Sequence, residues 1–344
     1  MAILREHDVP LASLSTFRIG GTAREIVTLE TEADVAEFFA ALPTDTAWLV
    51  LGGGSNVVFP DGDTSANIVR LGMRDIALVS DEGMYAEVSI GAGTVWDDVC
   101  AWAVARGLCG IEALSAIPGS TGATPIQNVG AYGTEIKDVL VSVRAYDRER
   151  KAFVELANAE CAFAYRDSLF KHARDAAGRP QYVITEVRLR LSRAAAKPPR
   201  YPGVAEYFAA QSISKPSLAQ IRAAIIAIRA KKLPDPREIA SVGSFFKNPF
   251  VSEAEAKDLA ERFPDMKMFP TEDGRVKIPA GWLIENAGLK GKSFGPIKTY
   301  EHNALVLVNT GTATRADLAA AVAEIVGAVN DLFSIRLEPE PELL

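Results

Sequence analysis

The sequence predicts an α+β protein of two or three domains, and three observations support this class. The chain has 344 residues, whereas a typical domain holds about 150. Hydrophobic residues make up 48% and charged residues 24% of the chain, which is typical of globular proteins and excludes disordered and fibrous ones. Helix and strand patterns alternate near both ends of the chain, while strand patterns dominate its middle.

Charge and composition exclude several kinds of partner. Lys and Arg number 37 against 44 Asp and Glu, a net charge of −7, whereas proteins that bind mainly nucleic acid are normally basic. The three cysteines and three histidines are scattered, so the sequence predicts neither a disulfide framework nor a metal site. No apolar run is long enough to span a membrane, and the N-terminus lacks a signal-peptide pattern. We therefore expect a soluble, cytoplasmic protein without a membrane partner.

The first segment, to about residue 75, mixes helix and strand. Thr31, with Asp34 three residues later, predicts the capped start of a helix. Residues 47–51 form a short apolar run that ends in three glycines, which predicts a buried strand entering a tight loop. Residues 67–71 predict a further strand.

The second segment is richer in strands. Alternating apolar residues predict strands at residues 84–93, 139–147 and 182–191. Thr94 predicts the N-cap of a helix that stops at Gly107. The core face of that helix consists of the apolar residues at helical spacing, Trp96, Val99, Cys100 and Ala103. Residues 193–216 are interpreted as a linker or a surface loop, and loop-length statistics favour the linker.

The third segment, residues 233–332, reads as a compact α/β unit that follows an amphipathic helix at residues 217–232. Ser252 and Glu255 predict a capping box. Residues 303–309 predict a buried strand, and residues 314–333 predict a long amphipathic helix. The tail after that helix predicts a short strand.

Two glycine-rich stretches are candidates for phosphate binding. Residues 52–56 follow a predicted strand, and consecutive glycines let backbone N–H groups approach an anion, although a plain tight turn is the alternative. Residues 91–96 look like a GxGxxG dinucleotide fingerprint, but Trp96 stands where the third glycine lets a helix pack closely on a strand. We therefore exclude a Rossmann fold.

The longest irregular stretch, residues 118–135, predicts a functional loop. It contains four glycines and almost no charge, and such a run is either functional or disordered. Its flanking elements and its own apolar residues favour function. Many backbone donors without basic side chains suit a neutral ring plus a diphosphate, and a flavin dinucleotide is such a ligand. Further candidates are four polar residues in apolar company, each of which could be an ordinary surface residue: Arg166, Ser244, Glu338 and Glu340.

The chain resembles the UDP-N-acetylenolpyruvoylglucosamine reductase family over nearly its whole length. The motifs that carry this resemblance stand in the family's order: STFRIGG at 15–21, LGGGSN at 51–56, IPGSTGATPIQNVGAYG at 117–133, YRDS at 165–168, KLPDP at 232–236, GSFFKNP at 243–249, AGWLIE at 280–285 and LEPE at 337–340.

This resemblance implies an α+β FAD-binding fold of the vanillyl-alcohol-oxidase type with a third, substrate-binding α/β domain. Residues 1–75 and 76–230 would be two FAD-binding subdomains, residues 231–332 the substrate domain, and residues 333–344 a strand returning to the second subdomain. The FAD would be noncovalent, because no histidine lies in either glycine-rich loop. The implied FAD-binding positions are Gly52, Gly53, Gly54, Ser55, Asn56, Pro118, Gly119, Ser120, Gly122, Ala123, Gln127, Asn128, Gly130, Ala131 and Tyr132.

The family reaction implies roles for further residues. A hydride from NADPH passes through FAD to UDP-N-acetylglucosamine enolpyruvate, and the product is UDP-N-acetylmuramate, a peptidoglycan precursor. By resemblance, Ser244 donates a proton, while Arg166 and Glu340, the second glutamate of LEPE, stabilise the enol. The implied substrate-binding positions are Tyr201, Lys232 and Asn248. The RYPG motif makes the segment around Tyr201 resemble the tyrosine-bearing loop of one subtype, which replaces the linker interpretation. Asn286 stands where the family often has glutamine, and a monomer is expected.

Two other functions stay open at this stage. One is a different FAD-dependent oxidoreductase on the same fold, acting on a hydroxy acid or an alcohol, against which the joint presence of YRDS, GSFFKNP and LEPE argues. The other is a catalytically idle FAD- or nucleotide-binding module, which would have to lack the catalytic residues that this chain retains.

Overall fold

A computed structural model describes residues 3–43 and 45–344. The chain divides into two compact units. The first unit comprises Met1–Val9, Ala23–Gly54 and Thr64–Ala230, and the second comprises Pro10–Thr22, Ser55–Asp63 and Lys231–Leu344. The finer division into three domains stays a prediction.

The helices and strands follow one another in a mixed order. Up to Lys232 they are β1 (Leu4–Pro10), β2 (Thr22–Leu29), α1 (Glu32–Ala41), β3 (Trp48–Val50), β4 (Val57–Val58), β5 (Thr64–Leu71), β6 (Ile76–Glu82), β7 (Tyr85–Gly91), α2 (Trp96–Ala105), β8 (Gly130–Ala131), β9 (Thr134–Glu135), β10 (Leu140–Asp147), β11 (Ala152–Ala157), α3 (Leu169–His172), β12 (Tyr182–Ser192), α4 (Pro202–Ala210) and α5 (Leu218–Lys232). The remaining elements are β13 (Ala240–Ser244), β14 (Phe250–Ser252), α6 (Glu253–Arg262), β15 (Phe269–Pro270), β16 (Arg275–Lys277), α7 (Ala280–Asn286), β17 (Ser293–Phe294), β18 (Ile297–Tyr300), β19 (Asn303–Asn309), α8 (Arg315–Phe333) and β20 (Glu342–Leu343).

Two sheets organise the first unit. One has the strand order β1-β2-β5-β3, in which β5 runs parallel to both β2 and β3. The other has the order β11-β10-β12-β7-β6 and is antiparallel throughout. The predicted core face of α2 is confirmed, because all four of its apolar residues are buried in one cluster with side chains of the antiparallel sheet. Full burial of a side chain such as that of Val99 contributes roughly 1.5–3 kcal/mol, and that of Ala103 less.

The predicted helix start at Thr31 is confirmed, and there the capping interaction joins residues that are close in the sequence. Thr31 accepts a hydrogen bond from the Asp34 N–H, and the reciprocal bond completes a capping box. The prediction of Thr94 as an N-cap was wrong, because Val95 is the cap residue of α2. The Thr94 hydroxyl instead donates to the carbonyl of Asp75, 3.4 Å away. The predicted stop is confirmed by Gly107, whose φ of +69° suits glycine.

The segment at residues 193–216 contains a helix that the sequence analysis missed. Helix α4 begins with Pro202 directly after its cap residue Tyr201, and proline is well suited to the first helical position. Val204 and Phe208, four residues apart, are buried in a cluster with residues of α5. Those two signals indicate a helix, and the interpretation of the whole segment as linker or loop was therefore wrong.

The second unit is built around a sheet of order β13-β19-β18-β17, with smaller sheets β14-β16-β15 and β4-β20. The predicted capping box of Ser252 and Glu255 is present at α6. The tail was predicted to return to residues 76–230, but its strand β20 pairs in parallel with β4 of the second unit. Ile335 and Leu337, which precede this strand, are buried in the hydrophobic core of the second unit, and their burial holds the tail there.

Residues 3–43 and 45–344 contain neither a membrane-spanning helix nor a cluster of metal-binding side chains. No helix there has the length and hydropathy needed to cross a bilayer. No group of three or more His, Cys, Asp or Glu side chains in the same residues could hold a metal ion. Burial raises the pKa of the Cys161 thiol to about 12 and also raises that of Cys100, which disfavours the reactive thiolate form.

Candidate active site

Two glycine-rich loops, far apart in the chain, meet in the first unit. A Cβ atom added to Gly53 would lie 2.8 Å from the Cα of Gly119, closer than real side chains come to backbone. A Cβ on Gly52 would lie 2.6 Å from Oγ of Ser120 and 3.3 Å from Cβ of Ala123. The glycines are therefore needed for close approach of one loop to the other. The two stretches that the sequence analysis assigned to FAD lie side by side.

The second loop is hydrogen-bonded to residues 91–96, the stretch that was excluded as a Rossmann fingerprint. The N–H of Trp96 donates to the carbonyl of Gly119 at 3.0 Å, and the N–H of Gly122 donates to the carbonyl of Ala92 at 2.9 Å. A Cβ on Gly122 would come within 2.7 Å of Cβ of Ala92. Residues 91–96 thus support the loop structurally, and their glycines serve backbone packing.

The two glycine-rich loops have the properties that a dinucleotide-binding site needs. Gly52 and Gly53 are exposed, so their backbone can reach a ligand. Residues 51–57 and 117–126 contain no acidic side chain that would repel a diphosphate, and successive glycine N–H groups form anion-binding concavities. FAD would lie along this pair of loops, while Ser55 and Asn56 continue the first loop into the second unit.

We expect Gly53→Ala to destabilise the protein by about 1–3 kcal/mol, the usual cost of overpacking, and to weaken FAD binding. The added methyl group would force the two loops apart at the point where they touch. Urea unfolding followed by circular dichroism measures the first effect, and flavin release on dilution measures the second. Gly62→Ala is the matched control, because its Cβ would meet no described atom within 4 Å. Equal behaviour of the two variants would contradict the close approach.

Arg166 stands at the tip of a tight turn in the first unit. Ala164 and Asp167 exchange backbone hydrogen bonds of 3.1 and 3.3 Å, and Arg166 between them has a φ of +54°. Such a conformation is uncommon for a residue other than glycine, and functional sites are one of the places where it occurs. Nη2 of Arg166 donates to the carbonyl of Gly130 at 2.8 Å, and Nζ of Lys171 donates to the Arg166 carbonyl at 2.9 Å. The guanidinium is therefore tied to the predicted FAD loop.

Ser244 ends strand β13 of the second unit at a bulge. Ser241 pairs with Val308 and Ser244 with Val306, so β13 has one extra residue between these pairs. Gly243 lies in that bulge with a φ of +72°, a conformation that glycine adopts without strain. Bulges re-aim side chains and are common beside active sites.

The sequence leaves Glu338 and Glu340 as alternative candidates, and the structure gives these two glutamates different surroundings. The N–H of Glu340 donates to the carbonyl of Phe245 at 2.8 Å, which places Glu340 beside the residue that follows Ser244. Glu338 lies two residues away, with a mostly exposed side chain whose carboxylate is 3.5 Å from Nζ of Lys247. The N–H of Lys247 donates to the carbonyl of Glu338 at 2.9 Å, so both glutamates pair with this segment, Glu340 nearer to Ser244 along the chain. The role of Glu340 stays a prediction.

The three predicted substrate-binding residues have different surroundings. Tyr201 is 40% exposed, and its ring packs edge-on against Tyr132, a residue of the predicted FAD loop, with centroids 5.1 Å apart. Lys232 is the exposed last residue of α5. Oδ1 of Asn248 accepts a hydrogen bond of 2.9 Å from the N–H of Ala280, so this side chain supports the start of α7. The amide of Asn286 donates to the carbonyl of Trp282 in its own helix.

Two residues near this site were not singled out from the sequence. The Ser168 hydroxyl is buried and donates to the carbonyl of Ile126 at 2.6 Å. Arg229 lies beside the Tyr132 hydroxyl, burial lowers the pKa of this arginine, and its Nε has no hydrogen-bond partner among the described residues. The YRDS motif contains Ser168 without indicating its role, and no local pattern marks Arg229, because the partners of both residues are distant in the chain.

Similarity to known proteins covers the whole chain. Residues 23–151 match a family model described as an FAD binding domain, and residues 235–344 match the C-terminal domain of UDP-N-acetylenolpyruvoylglucosamine reductase. The reductase of that name from Dechloromonas aromatica is 44% identical over 296 residues, which cover 86% of this chain and 87% of the relative. The one from Pseudomonas aeruginosa is 41% identical over 341 residues and covers 99% of this chain and 98% of the relative.

A solved structure agrees with these relatives. The crystal structure of UDP-N-acetylenolpyruvylglucosamine reductase from Thermus caldophilus superposes with a TM-score of 0.68 at 25% identity, covering 100% of this chain and 99% of that one. The predicted α+β FAD-binding fold is confirmed by this match and by the FAD-domain model. The protein is an FAD-dependent oxidoreductase, and its chain belongs to the UDP-N-acetylenolpyruvoylglucosamine reductase family.

Proposed function

We propose that the protein uses NADPH to reduce UDP-N-acetylglucosamine enolpyruvate to UDP-N-acetylmuramate, a step of peptidoglycan precursor synthesis. The observation that carries this proposal is the backbone hydrogen bond from Glu340 to Phe245, which pairs the LEPE motif with the residue that follows Ser244 at the bulge. A proton donor beside a carboxylate is what protonation of an enol requires. The names of the relatives support the same substrate.

The chain's own residues supply binding, charge and a proton. FAD, when bound, supplies hydride transfer to the β-carbon of the enolpyruvyl group. Negative charge then develops at the α-carbon and the substrate carboxylate, where the Arg166 guanidinium offers fixed positive charge. The hydroxyl of Ser244 holds the proton that the α-carbon receives. Serine is a weak acid, but it can donate this proton because the carbanion is strongly basic.

Binding of the sugar nucleotide falls to residues outside the reacting centre. We assign Tyr201 to the diphosphate, since its exposed ring rests on the FAD loop. Lys232 adds positive charge, while Asn248 combines a substrate contact with its support of α7. FAD is held without a covalent bond. His172 lies four residues after the YRDS motif, and its Nε2 is 2.8 Å from Oδ1 of Asp167. The monomeric state and the cytoplasmic location stay predictions.

The purified protein should be yellow, and acid precipitation should leave FAD in the supernatant. Under anaerobic conditions NADPH should bleach the flavin absorbance, and UDP-N-acetylglucosamine enolpyruvate should restore it with formation of UDP-N-acetylmuramate. Flavin in the pellet would show a covalent bond. Recovery of the absorbance with oxygen alone, and not with the enolpyruvyl substrate, would favour an oxidase of the same fold.

A further inference from the structure

We infer that Asn128 is a positioning residue, which holds the turn of Arg166 against the FAD loop and makes no side-chain contact with FAD. The role of Arg166 in this inference rests on the proposed function. It changes the assignment that the family resemblance implied, in which Asn128 was a cofactor-binding residue.

The side chain of Asn128 is completely buried and its hydrogen atoms are used within the protein. Nδ2 donates to Oε2 of Glu135 at 2.8 Å and to the carbonyl of Ala164 at 3.0 Å, while Oδ1 accepts from the N–H of Lys137 at 3.2 Å. An amide NH₂ group has only two hydrogens to donate. Both are taken, and the buried amide offers no surface to a ligand.

One of those bonds ends on the turn that carries Arg166. Ala164 is the first residue of that turn and Asp167 the last, so the amide of Asn128 fixes the backbone where the turn begins. Asn128 itself has a φ of +45°, a left-handed conformation in which asparagine is enriched. The loop conformation and the turn are thus joined through one side chain.

Two further bonds join the same loop and turn. Ser168 donates to the carbonyl of Ile126, and Arg166 donates to the carbonyl of Gly130. Together with the Asn128 bond at Ala164, they hold the turn at three points: its first residue, Ser168 directly after its last residue, and the guanidinium of Arg166. Loss of the Asn128 amide would free the start of the turn and leave the guanidinium less well aimed. A misplacement of about 1 Å at a reacting centre can cost 10²-fold in rate.

The decisive variant is Asn128→Gly, because glycine accepts the positive φ and removes only the side chain. The matched control is Asn158→Gly. The Asn158 amide also donates to two backbone carbonyls of the first unit, those of Lys137 and Leu140 at 2.7 and 2.8 Å, and neither belongs to the Arg166 turn.

Stopped-flow absorbance of the holoenzyme separates the two half-reactions. We expect Asn128→Gly to leave reduction by NADPH within about threefold of the wild-type rate and to slow reoxidation by the enolpyruvyl substrate by about 10- to 100-fold. FAD affinity, measured by flavin fluorescence on dilution, should change less than threefold. The Asn158→Gly variant should change none of the three.

A double-mutant cycle with Arg166→Met tests whether Asn128 acts through the arginine. The double variant should reoxidise no slower than Arg166→Met alone, since residues that act as a unit are not additive. A tenfold or greater loss of FAD affinity would show that Asn128 is an FAD ligand. Multiplied effects in the double variant would show that it acts independently of Arg166. Either result overturns the inference.

Ser168→Ala offers a second route should Asn128→Gly fail to fold. It removes another bond between the same loop and turn, and it should show the same selective loss in reoxidation and the same lack of additivity with Arg166→Met. Equal slowing of both half-reactions would contradict the inference. Failure of the proposed function is distinguishable, because the wild-type enzyme itself would then not be reoxidised by the enolpyruvyl substrate.

Discussion

Ser244→Ala is expected to slow reoxidation of the reduced enzyme by its enolpyruvyl substrate about 10²–10⁴-fold, the usual contribution of a positioned general acid. NADPH reduces the flavin without any proton reaching the substrate α-carbon, so that half-reaction should keep its rate. Substrate affinity should change little, because the hydroxyl acts in the transition state and not in the ground state. Stopped-flow flavin absorbance, recorded separately for each half-reaction, measures the split.

Ser241→Ala is the matched control for this experiment. Ser241 is a buried serine of the same strand, but it lies before the bulge and pairs regularly with Val308. A water molecule in place of the lost hydroxyl would account for residual activity in Ser244→Ala. Reoxidation at the wild-type rate would exclude Ser244 as the proton donor.

Arg166→Met should slow reoxidation by about 10²–10³-fold, which is typical for removal of one group that stabilises developing negative charge. Methionine keeps a flexible, unbranched stem, although a shorter one, and removes the charge and the hydrogen bond to Gly130. Arg166→Lys should recover part of the rate, since lysine keeps the charge without the planar fork of donors. The rate of reduction by NADPH should be unchanged in both variants.

Arg174→Met provides the comparison for loss of a hydrogen-bonded arginine. Arg174 donates to the carbonyls of Lys171 and Gly178 at 3.0 and 2.9 Å in the same unit, so its removal tests general effects on this region. Similar rates for Arg174→Met and Arg166→Met would contradict a specific role of Arg166. A drop in the NADPH half-reaction alone would assign Arg166 to the hydride donor and not to the enol.

The predictions that succeeded at the level of secondary structure concern interactions between neighbours in the chain. The capping boxes of Thr31 with Asp34 and of Ser252 with Glu255 need only residues three apart. The buried face of α2 follows from helical spacing alone. Such signals are complete within one turn of helix, and the sequence is sufficient to predict them.

The predictions that failed depended on packing at a distance. Thr94 has the right chemistry for a cap, but its hydroxyl reaches the carbonyl of Asp75 instead. Helix α4 is stabilised by burial of Val204 and Phe208 against α5, and this packing supports the local signals of Pro202 and the apolar pair. The tail strand was assigned to the wrong partner, because pairing between β20 and β4 joins residues at opposite ends of the chain.

For the candidate site, the sequence by itself determined which residue types are present and which motifs they form, and those motifs identify the family. Tertiary structure alone decided that Gly53 lies against Gly119, that Glu340 pairs through its backbone with Phe245 and Glu338 with Lys247, and that the amide of Asn128 is used within the protein. The physical reason is that close approach and buried hydrogen bonding depend on groups from distant parts of the chain. At these positions the local sequence contains the donor or the glycine, whereas its partner lies in a distant part of the chain.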